Sequence, residues 1–274
     1  MRVLAGLTLF VFCFEFSFLN PLWAKEEFRH GVESLEKEDL KPNDQENDLS
    51  SKNHAWFLKG VPRDLKLSLK ESFVPWGVLA LAGGAALSLG VKTLDQDLKE
   101  ALGPNELFNA RTNQVMEWAF SPYILSGTSL ALWLAGHYSH HPKLALTGRA
   151  LSEALFLSMG INMVAKLAFR RERPDGGNFS FPSGHVTSAF TTAGVLTVFY
   201  GWKGALPAYS LATLVSLNRL DGHHHWLSDV VMGAALGSVV GIGTARFLKK
   251  DHPHLFLSPV VGKKHASLQV YYQF

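Results

Sequence analysis

The sequence predicts an all-α protein, a helical bundle of about six core helices embedded in a membrane, with a short C-terminal β-hairpin. Three observations predict this class. Apolar residues collect in six stretches, at 73–91, 119–136, 151–169, 186–202, 205–217 and 227–247. Small residues are dense within them, as in Gly83-Gly84-Ala85-Ala86 and Gly233-Ala234-Ala235, which suits close helix–helix approach in lipid. From Leu255 onward the period changes. Ala266, Leu268, Val270, Tyr272 and Phe274 alternate with polar or amphipathic residues, and Gly262-Lys263 offers the turn of a hairpin.

The chain divides in order into four parts. Residues 1–24 read as an export signal (or an uncleaved anchor): Met1-Arg2, an apolar run to Leu22, and a cleavage site after Ala24. Residues 25–72 are a polar tail and linker. The tail is too rich in charge, Asn and Ser to bury a core, and from Ala55 it shows an amphipathic pattern interrupted by Pro62. Residues 73–250 form the helical domain, and 251–274 the hairpin. Between the first two apolar stretches, Thr93–Glu117 carries the spacing of one or two amphipathic helices lying on the domain.

Composition narrows the function. The 274 residues carry a net charge of +3 with the basic positions scattered, which gives no footprint for nucleic acid. The single cysteine, Cys13, falls in the N-terminal apolar run, so a processed chain has neither a disulfide framework nor a cysteine zinc site.

Polar residues of one chemistry cluster around the helical stretches. Lys166 precedes Arg173-Pro174, Pro182-Ser183-Gly184-His185 follows a loop, and Arg219 leads to His225 and Asp229. Pro174 disfavours helix at Arg173, so the third stretch should end there and present Lys166, Arg170 and Arg173 from one face. Ser183 is a natural N-cap, and Gly184 lets an anion approach the first-turn N–H groups, which with the helix dipole form a seat. With His225 opening the last helix, Asp229 lies one turn on. There it can accept from one imidazole nitrogen and leave the other with an outward lone pair, the arrangement of a nucleophile. His223 and His224 extend a histidine run, but consecutive residues seldom converge on one metal ion. Arg170 and Arg171 have only a supporting electrostatic role.

Taken in order, K-x6-R-P, P-S-G-H and R-x5-H-x3-D, these blocks resemble the type 2 phosphatidic acid phosphatase (PAP2) superfamily, which also holds vanadium haloperoxidases. The resemblance runs from about Phe73 to Phe247. One departure is Asn218, where the family usually has Ser before the arginine. The resemblance implies phosphoryl transfer through the enzyme. His225 attacks phosphorus, Asp229 steadies its imidazolium, and His185 protonates the leaving group. Lys166, Arg173, Arg219, Ser183 and Gly184 hold the phosphate oxygens. It implies no metal and no cofactor, with vanadate entering only under a haloperoxidase alternative. The implied substrate is a phosphorylated lipid or prenyl compound in a bilayer. A soluble, broad-specificity periplasmic acid phosphatase is the alternative.

Topology raises a conflict. The chain reads as a bacterial envelope protein, exported and associated with the inner membrane. Lys66, Lys70, Lys143, Arg149, Lys203, Arg246, Lys249 and Lys250 lie on the side of the 25–72 tail, which the positive-inside rule makes cytoplasmic. The site then faces the periplasm. A cleaved signal puts the tail outside, so cleavage and this orientation cannot both hold with six full spans: either one of the first three stretches does not cross, or the bundle does not span.

Overall fold

The structure, a computed structural model, describes residues 61–103 and 107–251, together with two strands at 255–261 and 266–272. The signal or anchor, Cys13, most of the polar tail and the Gly262-Lys263 turn lie outside the described residues. Nine α-helices are seen among them: α1 Val61–Ser72, α2 Pro75–Val91, α3 Asp95–Ala101, α4 Ala110–Ala119, α5 Pro122–Tyr138, α6 Pro142–Phe169, α7 Gly184–Tyr200, α8 Trp202–Asp221 and α9 Leu227–Asp251. A 3-10 turn, Lys92–Leu94, joins α2 to α3. Strands β1 Leu255–Val261 and β2 Ala266–Tyr272 pair antiparallel, from Leu255 opposite Tyr272 to Val261 opposite Ala266.

The six expected stretches correspond to α2 and α5–α9, but the helix count and several boundaries differ. Helix α6 starts at Pro142, well before Leu151. Its first turns look polar because they contain Lys143 and Arg149. Arg149, however, is bonded to Asp64 and donates from Nε to Glu153 at 2.8 Å, so its charge is matched inside the fold. The same helix ends at Phe169, short of Arg173, because Arg170 takes the left-handed conformation at the C-cap (φ 45°). Arg170 and Arg173 therefore leave the helical face that Lys166 occupies. Pro62 stands in the first turn of α1, where its missing N–H costs nothing, and residues 55–60 of the amphipathic pattern lie outside the described residues. The Thr93–Glu117 segment forms two short helices, α3 and α4, as its spacing predicts.

Among the described residues, three segments are long and apolar enough to cross a membrane: Pro75–Ala101, Pro142–Phe169 and Leu227–Lys250. Large apolar side chains also face outward, including Leu79 (72% exposed), Phe156 and Val164 (69% each). Helices α5 and α7 have 17 residues. At that length each reaches about 26 Å, a little short of a ~30 Å hydrocarbon core.

The closest packing joins α7 to α9. Gly233, Gly237 and Gly241 recur every fourth residue on α9 and lie against the backbone of α7. A Cβ at Gly237 would stand 2.3 Å from the Thr187 carbonyl oxygen, and one at Gly241 2.3 Å from that of Thr191. Only glycine permits this approach. Deeper along the same helices, Val195, Ala245 and Leu248 pack with Ala150, Leu151 and Ala154 of α6. Substituting Gly237→Val should lower stability in detergent by about 1–3 kcal/mol through overpacking. Gly83→Ala, where an added Cβ meets nothing within 4 Å, should be neutral. Thermal melting of the two variants checks this; a Gly237→Val protein as stable as its parent would contradict the seam.

A candidate phosphate-handling active site

Alternating helix directions bring the C-terminal ends of α6 and α8 to the same end of the bundle as the N-terminal ends of α7 and α9. Each block of the sequence signature sits at one of these ends. Lys166 is in the last turn of α6. Ser183 is the N-cap residue of α7, and Gly184 and His185 are its first residues. Arg219 is in the last turn of α8, and Asp229 in the first turn of α9. His225 lies in the turn just before α9 and does not open it. The expectation of a shared helical face is corrected accordingly.

His225 and Asp229 are nonetheless neighbours. Their Nδ1 and Oδ2 atoms are 3.7 Å apart, and the Ser180 hydroxyl stands at both. Ser180 donates to Asp229 Oδ2, and its oxygen lies 3.5 Å from His225 Nδ1. Ser180 and the Asp229 carboxylate together orient the imidazole. Asp229 Oδ2 also accepts from the backbone N–H of Trp226 at 2.9 Å, which caps the start of α9. The Ser183 N–H donates to the Asp229 carbonyl oxygen at 3.1 Å, joining the starts of α7 and α9 directly.

Burial pushes the His225 imidazole down to about 4; the positive charges of Lys166 and Arg173 act in the same direction, and Asp229 opposes them. At neutral pH the ring is uncharged. In the tautomer that carries its proton on Nδ1, beside Ser180 and Asp229, the lone pair is on Nε2.

Lys166, Arg173 and Arg219 lie near enough for charge to link them: Arg173 acts on both others, and Lys166 and Arg173 act on His225. A Cβ on Gly184 would lie 4.0 Å from Lys166 Cε, which places that lysine beside the first turn of α7. Its Nζ donates to the Phe179 carbonyl oxygen at 2.5 Å. The same Cβ would meet Met159 and Asn162 at 3.5 and 3.8 Å, ordinary contact distances, so packing alone does not demand glycine there. The Arg173 N–H donates to Gly177 O at 2.7 Å, which sets the loop between α6 and α7. Arg219 is 3% exposed; Asn218 Oδ1 accepts from its Nε at 3.1 Å, and Glu117 Oε1 of α4 lies 3.6 Å from its Nη1. Asn218 therefore bonds locally and steadies the arginine beside it. His185 is half-buried, with Arg219 and His225 among its neighbours, and its Nε2 faces the Glu117 carbonyl oxygen at 3.3 Å.

Among the described residues, two buried donors at this end have no hydrogen-bond partner, Ser183 Oγ and Arg173 Nε, and the acceptor Asn162 Oδ1 near Gly184 is unpaired as well. Ser183 occupies the N-cap position without making the side-chain cap bond that its residue type predicts. Buried donors are rarely left unpaired, and an oxyanion is the ligand that would satisfy both. The other histidines of the run diverge: His223 Nε2 is 2.7 Å from Leu102 O, and His224 Nδ1 is 3.2 Å from Asp175 Oδ2. Among the described residues no group of three or more His, Cys, Asp and Glu side chains is placed to hold a metal ion.

Sequence reasoning missed Ser180, Glu117 and Asp95, and it undervalued Arg171. None of the first three stands at a telling spacing from the motif. Each enters through a contact between distant parts of the chain, as when the Ser228 N–H donates to Asp95 Oδ1 at 2.9 Å.

Helix ends, clustered cations and an oriented imidazole define a helical bundle built to hold a phosphate-like anion. Residues 147–253 match the family model of the PAP2 superfamily, and that segment contains every signature residue. The segment that carries the site is thus similar to the PAP2 superfamily. A lipid A 1-phosphatase of Porphyromonas gingivalis is 37% identical over 97 residues, 33% of this chain and 22% of that protein. A decaprenylphosphoryl-5-phosphoribose phosphatase of Mycobacterium tuberculosis is 35% identical over 96 residues, 31% of this chain and 52% of that protein. The similarity thus spans about half or less of these relatives. The transmembrane PAP2-type phosphatidylglycerolphosphate phosphatase of Bacillus subtilis shares the fold, with a TM-score of 0.54 at 21% identity over 63% of this chain and 96% of that one.

The pH behaviour of His225 follows from its burial. Between about 4 and the ordinary 6.5 the unfolded chain binds a proton at His225 that the folded chain does not, so stability falls as pH drops through that window. In NMR of protein with labelled imidazoles in detergent, the resonance lost in His225→Gln should titrate near 4. A midpoint at the ordinary value would show a solvated ring and contradict the buried placement.

Proposed function

We propose that this chain is a metal-independent phosphatase acting on a phosphate ester or diphosphate of lipid or prenyl type, through a phosphohistidine. The observation that carries the reading is the pair of unpaired buried donors, Ser183 Oγ and Arg173 Nε, at the end of the bundle where the neutral His225 stands. His225 Nε2 attacks phosphorus; the N–P bond forms as the ester P–O bond breaks, and the leaving oxygen takes a proton from His185, whose protonated form the bound phosphate dianion must stabilise against burial and the Arg219 charge. Water then attacks the phosphohistidine, His185 takes the proton of that water, and the N–P bond breaks to free phosphate. Asp229, with Ser180, steadies the imidazolium that forms. Lys166, Arg173, Arg219, Ser183 and the Gly184 N–H spread the charge of the three equatorial oxygens. Such positioning and neutralisation supply most of the catalysis in phosphoryl transfer. The fixed cations take the place of a metal.

The substrate class rests on the exposed apolar faces of α2 and α6 and on the relatives that act on lipid-linked phosphates. Exposed faces of this size favour a bilayer over a soluble acid phosphatase. The site faces the periplasm in this reading, because Lys143, Arg149, Lys203, Arg246, Lys249 and Lys250 belong to the opposite helix ends. A cysteine placed at exposed Asn178, in a Cys13→Ser background, should react with a membrane-impermeant maleimide in intact spheroplasts. Labelling only after lysis would reverse the orientation.

Phosphate release from a panel of lipid, prenyl and water-soluble phosphate esters tests the activity. His225→Ala should abolish turnover while the melting temperature is kept, orthovanadate should inhibit, and EDTA should have no effect. Normal hydrolysis by His225→Ala would remove the nucleophile. Loss of activity in EDTA, restored by a divalent metal, would overturn the metal-free scheme.

A further inference from the structure

We infer that Arg171, which lies outside the three signature positions of its neighbourhood, is a positioning residue for the nucleophile: it clamps Asp229 to Asp95 and so fixes the carboxylate, Ser180 and His225 in one line. The inference rests on the reading of His225 given above.

The geometry is a closed network. Arg171 Nη1 donates to Asp229 Oδ1 at 2.7 Å and to Ser228 Oγ at 2.6 Å. Its Nη2 donates to Asp95 Oδ2 at 2.7 Å. Ser228 completes the ring, donating from its hydroxyl to Asp95 Oδ2 at 2.6 Å and from its backbone N–H to Asp95 Oδ1 at 2.9 Å. The two oxygens of Asp229 thereby have separate tasks. Oδ1 is held by Arg171, while Oδ2 takes the Trp226 N–H and the Ser180 hydroxyl that faces His225. Trp226 covers the clamp, with the Arg171 guanidinium 5.5 Å from its ring centre.

Charge explains why a clamp is needed. Asp229 and Asp95 are 0% and 6% exposed, and two buried carboxylates this close repel unless a cation lies between them. Arginine fits because its planar fork bonds both at once, which lysine cannot do. The guanidinium bonds go to protein groups and leave the oxyanion to Lys166, Arg173, Arg219 and Ser183. Asp95 sits on α3, ahead of the segment that matches the family. The N-terminal helices therefore take part in orienting the nucleophile.

The test uses the full chain in detergent and compares Arg171→Met, Arg171→Lys, Asp95→Asn and the Asp95→Asn/Arg171→Met double variant. Arg171→Met should lower kcat on the order of 100-fold while KM and inhibition by inorganic phosphate change by less than about threefold. Arg171→Lys should recover part of the lost kcat. Asp95→Asn should lower kcat in the parent but add little in the Arg171→Met background, because both act through one contact. If Arg171→Met does not fold, Arg171→Lys and Asp95→Asn carry the kcat-against-KM comparison. An unchanged kcat, a weakened phosphate inhibition, or additive losses in the double variant would overturn the inference. His225→Ala is assayed alongside. Turnover there would refute the nucleophile itself, whereas an inactive His225→Ala beside a normal Arg171→Met would refute only the clamp.

Discussion

The contact on which the rest depends is the approach of α9 to α7 along Gly233, Gly237 and Gly241. A side chain at any of these positions would meet the α7 backbone or the side chains on it, with the Gly233 Cβ 2.9 Å from the Ser183 carbonyl oxygen. That contact is already at the site. It sets Ser183 and Asp229 within one backbone hydrogen bond, and through them the proposed anion seat of one helix and the proposed nucleophile beside the other. Within a membrane, small residues and dispersion have to do what the hydrophobic effect does in water. The seam is therefore both the packing core of the bundle and the gauge of its active site.

Charge is distributed to match. The apolar segments carry their polar load at the ends, and the end bearing the site gathers Lys166, Arg171, Arg173 and Arg219. Arg171 is neutralised by Asp95 and Asp229, and Arg219 lies near Glu117. The excess positive charge falls where Ser183 Oγ and Arg173 Nε lack partners. A substrate phosphate would there displace water from donors already fixed by the fold, the preorganisation that makes electrostatic catalysis effective. At the other end, the buried set Asp64, Arg149 and Glu153 ties α1 to α6 and lets a charged segment continue as helix.

Much of this was legible in the sequence. The three blocks could be read because each functional group lies within a few residues of a helix end, and helix ends announce themselves through Pro182, Gly184 and the apolar periodicity. What stayed hidden depends on tertiary contact. The start of α6 was masked by Arg149, whose charge is matched by residues distant in sequence or inside the fold. Arg170 ended the helix by a left-handed turn that arginine seldom adopts. Ser180 and Asp95 gave no local signal, because their significance lies wholly in what they touch across the bundle. The spacing of His225 and Asp229 announced them as neighbours, but the Ser180 hydroxyl that stands beside both gave no local signal.

The central claim is convergence of two imidazoles and three cations from separate helix ends on one phosphate-sized seat. An experimental structure with orthovanadate bound tests it most directly. The account predicts vanadium bonded to His225 Nε2, an apical oxygen facing His185, and equatorial oxygens held by Lys166, Arg173, Arg219, Ser183 and the Gly184 N–H. Vanadate found away from His225, or seated there with His185 turned elsewhere, would contradict it.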